Sequence, residues 1–380
     1  MLENLLITAI LLVPRQIPSA QEPKSDITEK EATEFARRIE RDQAAGRERA
    51  FDALFDFEGL IEDASLGLEL TAQEKSDFIK GARKSSMGAQ ISAAGGNSYR
   101  CLRSRVIDGR RVLTFRLWSE QGLNYHDLRL KKTPGGLRIA DNFIYLSGES
   151  TLSIMRRGTL AIAANDPVRR KKVPEWAVDF LNNMRKILEF QREARSERPQ
   201  DALKTFAGFP ESLRKDRMIQ VLRILAAAKV GDKEFLEAEA EYSRHFPEDS
   251  CKDLICFDAL ILRKDFPAAL KSIDRIDKSV GGDPLLNFHR GTIHLEMGKV
   301  AESRAFGLKA AKDVPYLQEP RWLLVTVALN EKEHAETVKL LEGLERDFKL
   351  VMENFDTIPD YADFVKSREY RDWLKSRASK

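Results

Sequence analysis

The sequence predicts two parts of different fold class. An α+β domain, in which helices precede a four-stranded antiparallel meander, is followed by an all-α array of repeated helix pairs. Between residues 99 and 146 apolar and polar residues alternate with a period of two, as in half-buried strands. The flanking segments carry apolar residues at helical spacing. Farther along, one pattern returns at equal intervals along the chain, which is typical of stacked helix pairs.

The N-terminal segment MLENLLITAILLVPRQIPSA, residues 1–20, predicts an export signal. Its apolar run from Leu5 to Val13 is too short to span a bilayer as a helix, and Pro14 ends it. No Lys or Arg precedes the run, so an apolar N-terminal helix in a cytoplasmic protein is the alternative. We therefore expect an exported, periplasmic or extracytoplasmic protein, in which a polar connector at residues 21–26 leads into the first domain.

The α+β domain is predicted to span residues 27–165, with its strands at about 99–147. Thr28 is expected to begin the first helix, and Thr71 with Glu74 forms a capping box for a later one. Asp108-Gly109 between two alternating runs is the strongest short-range hairpin signal in the chain. The segment TPGG supplies another turn, so four strands are expected to follow one another as a meander.

The turn positions predict which strand residues share a face of the sheet. One face is expected to be apolar and to hold Leu102, Val106, Leu113, Phe115, Leu117, Leu128, Leu130, Ile139, Phe143 and Tyr145. The opposite face is expected to hold Arg103, Arg105, Arg116, Tyr125, Asp127 and Arg129. Because these side chains are polar, we expect the second face to be solvated and laced with weak ion pairs.

Two polar residues, His126 and Asp141, interrupt the predicted apolar face on neighbouring strands. They could form a dyad inside a ligand cavity, and a buried polar pair that satisfies itself is the alternative. A sheet curved around an apolar pocket, with helices before it, is similar to the nuclear-transport-factor-like and cystatin-like α+β architecture. That resemblance covers about residues 50–150 and implies a cavity for a ligand or for acid/base chemistry.

A linker helix is predicted at residues 166–198, repeats at 199–350 and capping helices at 351–380. Phe266, Val300 and His334 are equally spaced, and each is followed three positions later by a small residue: Ala269, Ser303 or Thr337. Small residues are needed where two helices approach closely, and Gly291 supplies another on a first helix. In the tail, aromatic residues are expected to cover the open end of the stack.

The repeat PLLNFHRGTIHLEMGKVAESRAFGLKAAKDVP resembles a degenerate tetratricopeptide repeat, with Gly in its first helix, a small residue in its second and Pro at its exit. This family binds peptide segments in a groove lined by first helices, which implies that a protein or peptide is the partner. Carried onto this sequence, the groove positions are Leu254, Phe288 and Trp322 in one row, and Asp258, Thr292 and Thr326 in the next. An apolar groove anchored by Phe288 and Trp322 is expected, and packing of both rings between helices is the alternative. The whole chain also resembles bacterial proteins that join such a domain to degenerate repeats and end in a segment like VKSREYRDWL.

Composition and motifs limit the chemistry that this chain can perform. The 63 basic and 60 acidic residues nearly cancel, so no long-range field favours nucleic acid as a partner. Cys101, Cys251 and Cys256 have no disulfide or metal spacing and are expected to be buried as small apolar residues. Phosphate-loop, nucleophile-elbow, H-E-x-x-H and C-x-x-C motifs are all absent, so no cofactor and no metal are expected.

These observations favour a non-enzymatic adaptor, or scaffold, whose repeats hold a partner protein. The alternative is small-molecule binding or acid/base enzyme activity in the cavity of the α+β domain, with the repeats as an assembly platform. A third possibility is that the repeats pack on the α+β domain as one rigid unit and leave no open groove. The sequence does not identify the partner or the oligomeric state.

Overall fold

The computed structural model describes residues 25–84, 86–93, 98–119, 122–352 and 355–378. The predicted export signal at residues 1–20 lies outside the described residues and stays a prediction. No helix in the described ranges is both long enough and apolar enough to cross a membrane.

The first part of the chain is an α+β domain, as predicted. Five helices come first: α1 Glu29–Ala44, α2 Glu48–Asp52, α3 Phe57–Ala64, α4 Ala72–Ala82 and α5 Met87–Ala93. An antiparallel sheet in the order β1-β2-β3-β4-β5 follows, with strands β1 Tyr99–Ile107, β2 Arg110–Ser119, β3 Gly122–Thr133, β4 Gly136–Ile144 and β5 Glu149–Ser150. The meander is therefore confirmed, and a short fifth strand is added to the four that were predicted.

The helix-capping and turn motifs in the sequence adopt the local structures that they predict. Thr71 Oγ1 accepts the backbone N–H of Glu74 at 3.2 Å, and the Glu74 carboxylate accepts the Thr71 N–H at 2.8 Å. Thr28 and Glu31 form the same reciprocal capping box at the start of α1. Asp108 and Gly109 have φ of 49° and 72°, the left-handed pair that a two-residue hairpin turn needs.

One face of the sheet, here called the inner face, packs against α1, α2, α3 and α5. Its core joins Leu113, Phe115 and Leu128 of the strands to Ile39 and Phe51 of the helices, all of which are buried. Tyr99 stacks on Phe115 with ring centroids 4.6 Å apart. The predicted apolar face is therefore present, but not with the predicted membership.

Two β-bulges change which residues share a face. Leu102 has no partner on β2, because Cys101 pairs with Phe115 and Arg103 pairs with Thr114. Ala140 is likewise unpaired between Asp141, which pairs with Arg129, and Ile139, which pairs with Leu130. Each extra residue moves the side chains beyond it to the other face. The prediction that Leu102, Phe143 and Tyr145 share the inner face is wrong, because all three pack on the opposite, outer face.

The second part of the chain is helical. Its helices are α6 Thr151–Ala164, α7 Glu175–Asn182, α8 Met184–Arg195, α9 Pro199–Ala207, α10 Glu211–Arg214, α11 Arg217–Val230, α12 Asp232–His245, α13 Lys252–Ile255, α14 Phe257–Leu262, α15 Phe266–Val280, α16 Leu286–Glu296, α17 Val300–Asp313, α18 Glu319–Asn330, α19 His334–Phe348 and α20 Arg368–Ala378.

The single linker helix predicted across residues 166–198 is divided by Asn183. Its amide Nδ2 donates to Asp179 O at 2.9 Å, which ends α7 before α8 begins. Ile187 and Phe190 of α8 then pack with Phe206 of α9 in one buried cluster. The end of the predicted linker is thus the first helix of a helix pair.

The equally spaced residues of the sequence are the first residues of the second helix in each pair. α15, α17 and α19 begin at Phe266, Val300 and His334, and α12 begins at Asp232, one equal interval before Phe266. Gly291 lies where two helices approach closely, since a Cβ there would be 3.3 Å from Ser303 O and 2.6 Å from a methyl carbon of Leu323. The regular spacing therefore reflects a repeated packing geometry.

The turns inside three successive pairs share one backbone conformation. Lys264, Gly298 and Lys332, which occupy equivalent positions in these turns, have φ of 55°, 71° and 57°. In each turn the next residue donates its N–H to a carbonyl five positions earlier, as Asp265 does to Leu260 O at 2.9 Å. Gly adopts this conformation without steric cost, whereas Lys does not.

Replacing the exposed Lys264 by Gly is expected to raise the free energy of unfolding by about 0.5–1 kcal/mol, because the left-handed strain disappears. Urea unfolding followed by circular dichroism measures the change. The matched control is Gly298→Ala, which should lose about 1 kcal/mol at the equivalent turn. A Lys264→Gly variant less stable than the parent chain would contradict the strain that we assign to this position.

The C-terminal segment covers the end of the array. Phe364, Tyr370 and Trp373 are buried in one cluster with Val325 and Leu341. Leu374, next to Trp373, is instead 43% exposed.

Candidate functional site

The outer face of the sheet is the surface on which the helical array lies. Tyr125 and Tyr145 of the sheet share a buried cluster with Val221, Ile224 and Ile255 of the array. The prediction that this face is solvated is wrong, because the loops between helix pairs reach across to it. We call this contact between the outer face and the array the seam.

A buried ion pair lies at the centre of the seam. The Arg116 guanidinium donates to Asp283 Oδ1 at 2.6 Å, and neither side chain is exposed. The Tyr125 hydroxyl donates to Asp283 Oδ2 at 2.9 Å, and a second Arg116 nitrogen donates to the Tyr316 hydroxyl at 2.6 Å. Both oxygens of the carboxylate are therefore occupied, as a buried charge requires.

Further hydrogen bonds lie along the seam on both sides of this ion pair. Arg105 donates to Ser279 O at 2.7 Å and to Asp127 Oδ2 at 2.6 Å. Trp118 Nε1 donates to Glu319 Oε1 at 2.9 Å. At the other end, Arg217 of α11 donates to Ser147 O.

Asp283 has an equivalent in the preceding loop, since Asp249 occupies the same position one repeat earlier. The Oδ1 atom of each accepts the backbone N–H two residues on: Cys251 at 2.7 Å and Leu285 at 3.0 Å. Asp249 also accepts from an arginine and from a tyrosine hydroxyl, as Asp283 does. The recurrence of Asp at this loop position was the sequence signal that could have identified Asp283.

The first predicted groove row is largely covered. Phe288 contacts Trp118 of the sheet, with ring centroids 6.2 Å apart and the planes at 75°. Leu254 packs against the cluster that contains Tyr125. Trp322 packs against the C-terminal cluster. At Leu254 and Phe288, the predicted apolar groove is filled by the protein's own residues.

The second predicted row is more open. Asp258 and Thr292 are exposed and Thr326 is half-buried. The hydroxyl groups of Thr292 and Thr326 each donate to their own helix, to Phe288 O and Trp322 O, both at 3.1 Å. Their methyl groups are therefore the parts free to contact a partner.

Four positions later on the same helices lie Leu262, Glu296 and Asn330, all exposed and again equally spaced along the chain. Together the two rows form a surface that we call the open strip: Asp258, Leu262, Thr292, Glu296, Thr326 and Asn330. Asp258 and Glu296 form no hydrogen bond or ion pair with any residue that the structure describes. Desolvation by the surrounding helices raises the pKa of Asp258, and no neighbouring cation opposes that shift. The strip thus presents two free carboxylates and no cationic side chain.

The structure does not bring His126 and Asp141 together. His126 lies on the inner face, where Nδ1 is 3.1 Å from the Tyr99 hydroxyl and Nε2 is 3.4 Å from Asn124 Nδ2. Burial lowers the pKa of His126 to about 4.

Asp141 lies beyond the Ala140 bulge, so the register directs it away from the inner face. Its Oδ1 atom accepts the backbone N–H groups of Asn142 at 2.9 Å and Leu152 at 3.0 Å. Each member of the predicted pair is therefore bonded to other groups, and the geometry of a dyad is not formed.

Other reactive groups offer little chemistry. Burial raises the pKa of the Cys101 thiol to about 12, of Cys251 to about 11 and of Cys256 to about 12, so little thiolate forms near neutral pH. Within the described ranges, no cluster of three or more His, Cys, Asp or Glu side chains could hold a metal ion. An open depression of about 540 Å³ lies beside Arg217 and His245, away from every predicted site residue.

The chain was compared with known proteins in three ways. No protein-family model, no curated protein and no solved structure matches this chain.

Proposed function

We propose that this protein is a non-enzymatic scaffold, outside the cytoplasm, that holds an extended basic segment of a partner protein on the open strip. The helix pairs would then act as tetratricopeptide-like repeats, and the α+β domain would brace them. The observation that carries the proposal is the open strip itself: equivalent positions on three successive first helices remain accessible and include the unpaired Asp258 and Glu296.

The seam supports this assignment by fixing the array. Bonds from the sheet include those from Arg116 to Asp283 in a loop between helix pairs and from Trp118 to Glu319 at the start of α18. In addition, Arg217 of α11 donates both to Ser147 O, next to the sheet, and to Asp249 in the preceding loop. Neighbouring repeats that cannot rotate independently present the strip in one arrangement, which lowers the entropic cost of binding.

The chemistry of the strip favours a basic partner. A Lys or Arg side chain can pair with Asp258 or Glu296, and the backbone N–H groups of an extended segment can donate to the same oxygens. Leu262 and the methyl groups of the two threonines provide apolar contact between the charged positions. The predicted aromatic anchors contribute less, because Phe288 already packs on Trp118.

Reversing the charge of the strip tests the proposal. The variant Asp258→Lys/Glu296→Lys is expected to reduce capture of the partner from a host extract by at least tenfold. The control Glu302→Lys/Glu342→Lys makes the same charge change at exposed positions of the second helices and should capture the partner as the parent chain does. Mass spectrometry of the bound fraction identifies the partner.

A photo-crosslinking amino acid at position 292, compared with one at the exposed position 305 of α17, locates the contact independently. A crosslink to the same partner from position 292 alone supports the strip. Retention of every partner by the strip variant, or equal crosslinking from both positions, would remove the strip as the binding site.

A further inference from the structure

A cavity of about 240 Å³ lies between α6 and α7, outside the open strip. Residues at helical spacing on both helices line it: Ala161, Ala164 and Asn165 on α6, and Val178, Leu181 and Asn182 on α7. Because positions three and four residues apart share a side of a helix, one face of each helix borders the same space.

Small residues on α6 leave this space open. The α6 face carries Ala161 and Ala164, whose single methyl groups are too short to fill the gap to Val178 and Leu181 on α7. Ala164, Val178 and Leu181 also pack against the buried cluster that joins α6 to α7. The apolar wall of the cavity is therefore held by a packed core, as in a preformed ligand site.

Polar side chains mark the opening of the cavity. Asn165, Arg170 and Asn182 line it and are exposed, whereas its apolar residues are half-buried. The three polar side chains form no hydrogen bond or ion pair with any described residue. No acidic residue is among the described residues that line the cavity. A ligand therefore meets an apolar wall beside one free cation and two free amides.

The neighbours of Arg170 are engaged elsewhere. Arg169 donates two hydrogen bonds to the Glu74 carboxylate, both at 2.8 Å. Lys172 Nζ donates to Glu69 Oε1 at 2.5 Å. These bonds tie the segment that connects α6 to α7 to the region where α4 begins. They fix the backbone on both sides of Arg170 and leave its guanidinium at the cavity.

The end of α6 does not use Arg170 as a cap. Ile162 O and Ala163 O accept the backbone N–H groups of Asn165 and Asp166, both at 3.2 Å. Carbonyl groups at a helix end can attract a cation, but here the chain itself satisfies them. The guanidinium of Arg170 thus keeps its donors for another acceptor.

We propose that this cavity binds a small monocarboxylate with an apolar body of about one aromatic ring. The body lies on the apolar wall, and the carboxylate accepts from the planar fork of Arg170. The cavity is just below the range of about 300–1,000 Å³ found for drug-sized ligands, which favours such a compound over a nucleotide cofactor. Because the site lies outside the open strip, it does not rest on the scaffold function.

Ligand-observed NMR titration of the full chain, at constant ionic strength, tests the site with three probes of one apolar body: phenylacetate, phenethyl alcohol and phenethylamine. Saturable binding of phenylacetate is expected, about tenfold tighter than that of the alcohol. Arg170→Gln should remove this difference and leave binding of the alcohol unchanged. The control Lys171→Gln removes the same charge from the next residue, which is exposed and does not line the cavity, and should bind like the parent chain.

Filling the cavity provides a second test. Ala161→Leu places extra methyl groups in the space and should abolish phenylacetate binding, whereas Ala301→Leu makes the same change at an exposed position of α17 and should not. If the filled variant does not fold, Arg170→Gln still decides, because Arg170 is exposed.

The contrary results are distinct. Equal affinity for phenylacetate and the alcohol, or tighter binding of the amine, would overturn the assignment to a carboxylate. The absence of saturable phenylacetate binding, or binding that persists in a folded Ala161→Leu variant, would overturn the site.

Discussion

Replacing Asp283 by Ala is expected to lower the free energy of unfolding by about 3–5 kcal/mol, the largest single effect that we predict. The substitution leaves the fully buried Arg116 guanidinium without its counter-charge and the Tyr125 hydroxyl without its acceptor. Most of the loss then comes from the uncompensated charge rather than from the missing bond. Urea unfolding, followed by circular dichroism and tryptophan fluorescence, measures it.

A double variant measures how much of the loss comes from the unpaired charge of Arg116. Asp283→Ala/Arg116→Met removes the guanidinium as well, so it should be more stable than Asp283→Ala alone. If the two substitutions acted independently, their losses of stability would add, and the double variant would be the least stable of the set. The surface control is Glu336→Ala, whose partner Lys339 is 73% exposed, and its effect should stay within about 0.5 kcal/mol. A loss below about 1 kcal/mol for Asp283→Ala would show that the pair does not hold the seam together.

Local signals were sufficient to predict several elements of the fold, although not the short strand β5 or the division between α7 and α8. Thr71 and Glu74 predict a helix start because the cap involves only four consecutive residues, and Asp108-Gly109 predicts a hairpin because the turn needs φ above zero at both positions. The equal spacing of Phe266, Val300 and His334 predicts helix pairs because each pair packs on the next in the same way. These features depend on interactions within one turn or between neighbouring pairs.

The faces of the sheet could not be predicted in the same way. A bulge inserts one residue without a distinctive composition, and Leu102 and Ala140 fit a regular strand as well as a bulged one. Once either is missed, the side chains beyond it are assigned to the wrong face. That single error placed Asp141 beside His126 and Phe143 in the inner core.

The burial of the outer face depends on residues far away in the chain. Arg116 in an alternating strand is equally consistent with solvation and with a buried ion pair, and the difference is decided by Asp283, 167 residues later. The contact of the predicted anchor Phe288 with Trp118 could not be predicted for the same reason, because Trp118 lies on a distant strand of the sheet. Asp258 and Thr292, which the sequence offered only through the family resemblance, are exposed, and their role in binding stays a prediction.

Acidification between pH 6.5 and 4 is expected to destabilise the protein through two buried histidines, His126 and His289. Burial lowers the pKa of each to about 4 in the folded chain, whereas an unfolded histidine titrates near 6.5. Above pH 6.5 both states are neutral, so the histidines add no pH dependence. Below it the unfolded chain binds protons that the folded chain does not, and unfolding becomes more favourable.

The surroundings of the two rings explain why protonation is resisted. His289 contacts the rings of Trp118, Phe257 and Phe288, and its Nε2 has no hydrogen-bond partner in the described structure. His126 faces only the neutral Tyr99 and Asn124 side chains through its ring nitrogens. Among the residues that the structure describes, no carboxylate is bonded to either ring, and burial alone determines the direction of both pKa shifts.

Each histidine is expected to contribute a slope of about 1.4 kcal/mol per pH unit over this range, approaching about 3 kcal/mol at pH 4. Urea unfolding at half-unit pH intervals measures the slope. His126→Gln or His289→Gln should each remove about half of it, and the double variant should remove nearly all of it above pH 5, where ordinary carboxylates remain ionised. Because His289 lies at Trp118, its protonation should also change tryptophan fluorescence before global unfolding, whereas that of His126 should not. A free energy of unfolding that stays constant between pH 6.5 and 5 would show that the folded chain accepts these protons as readily as the unfolded chain.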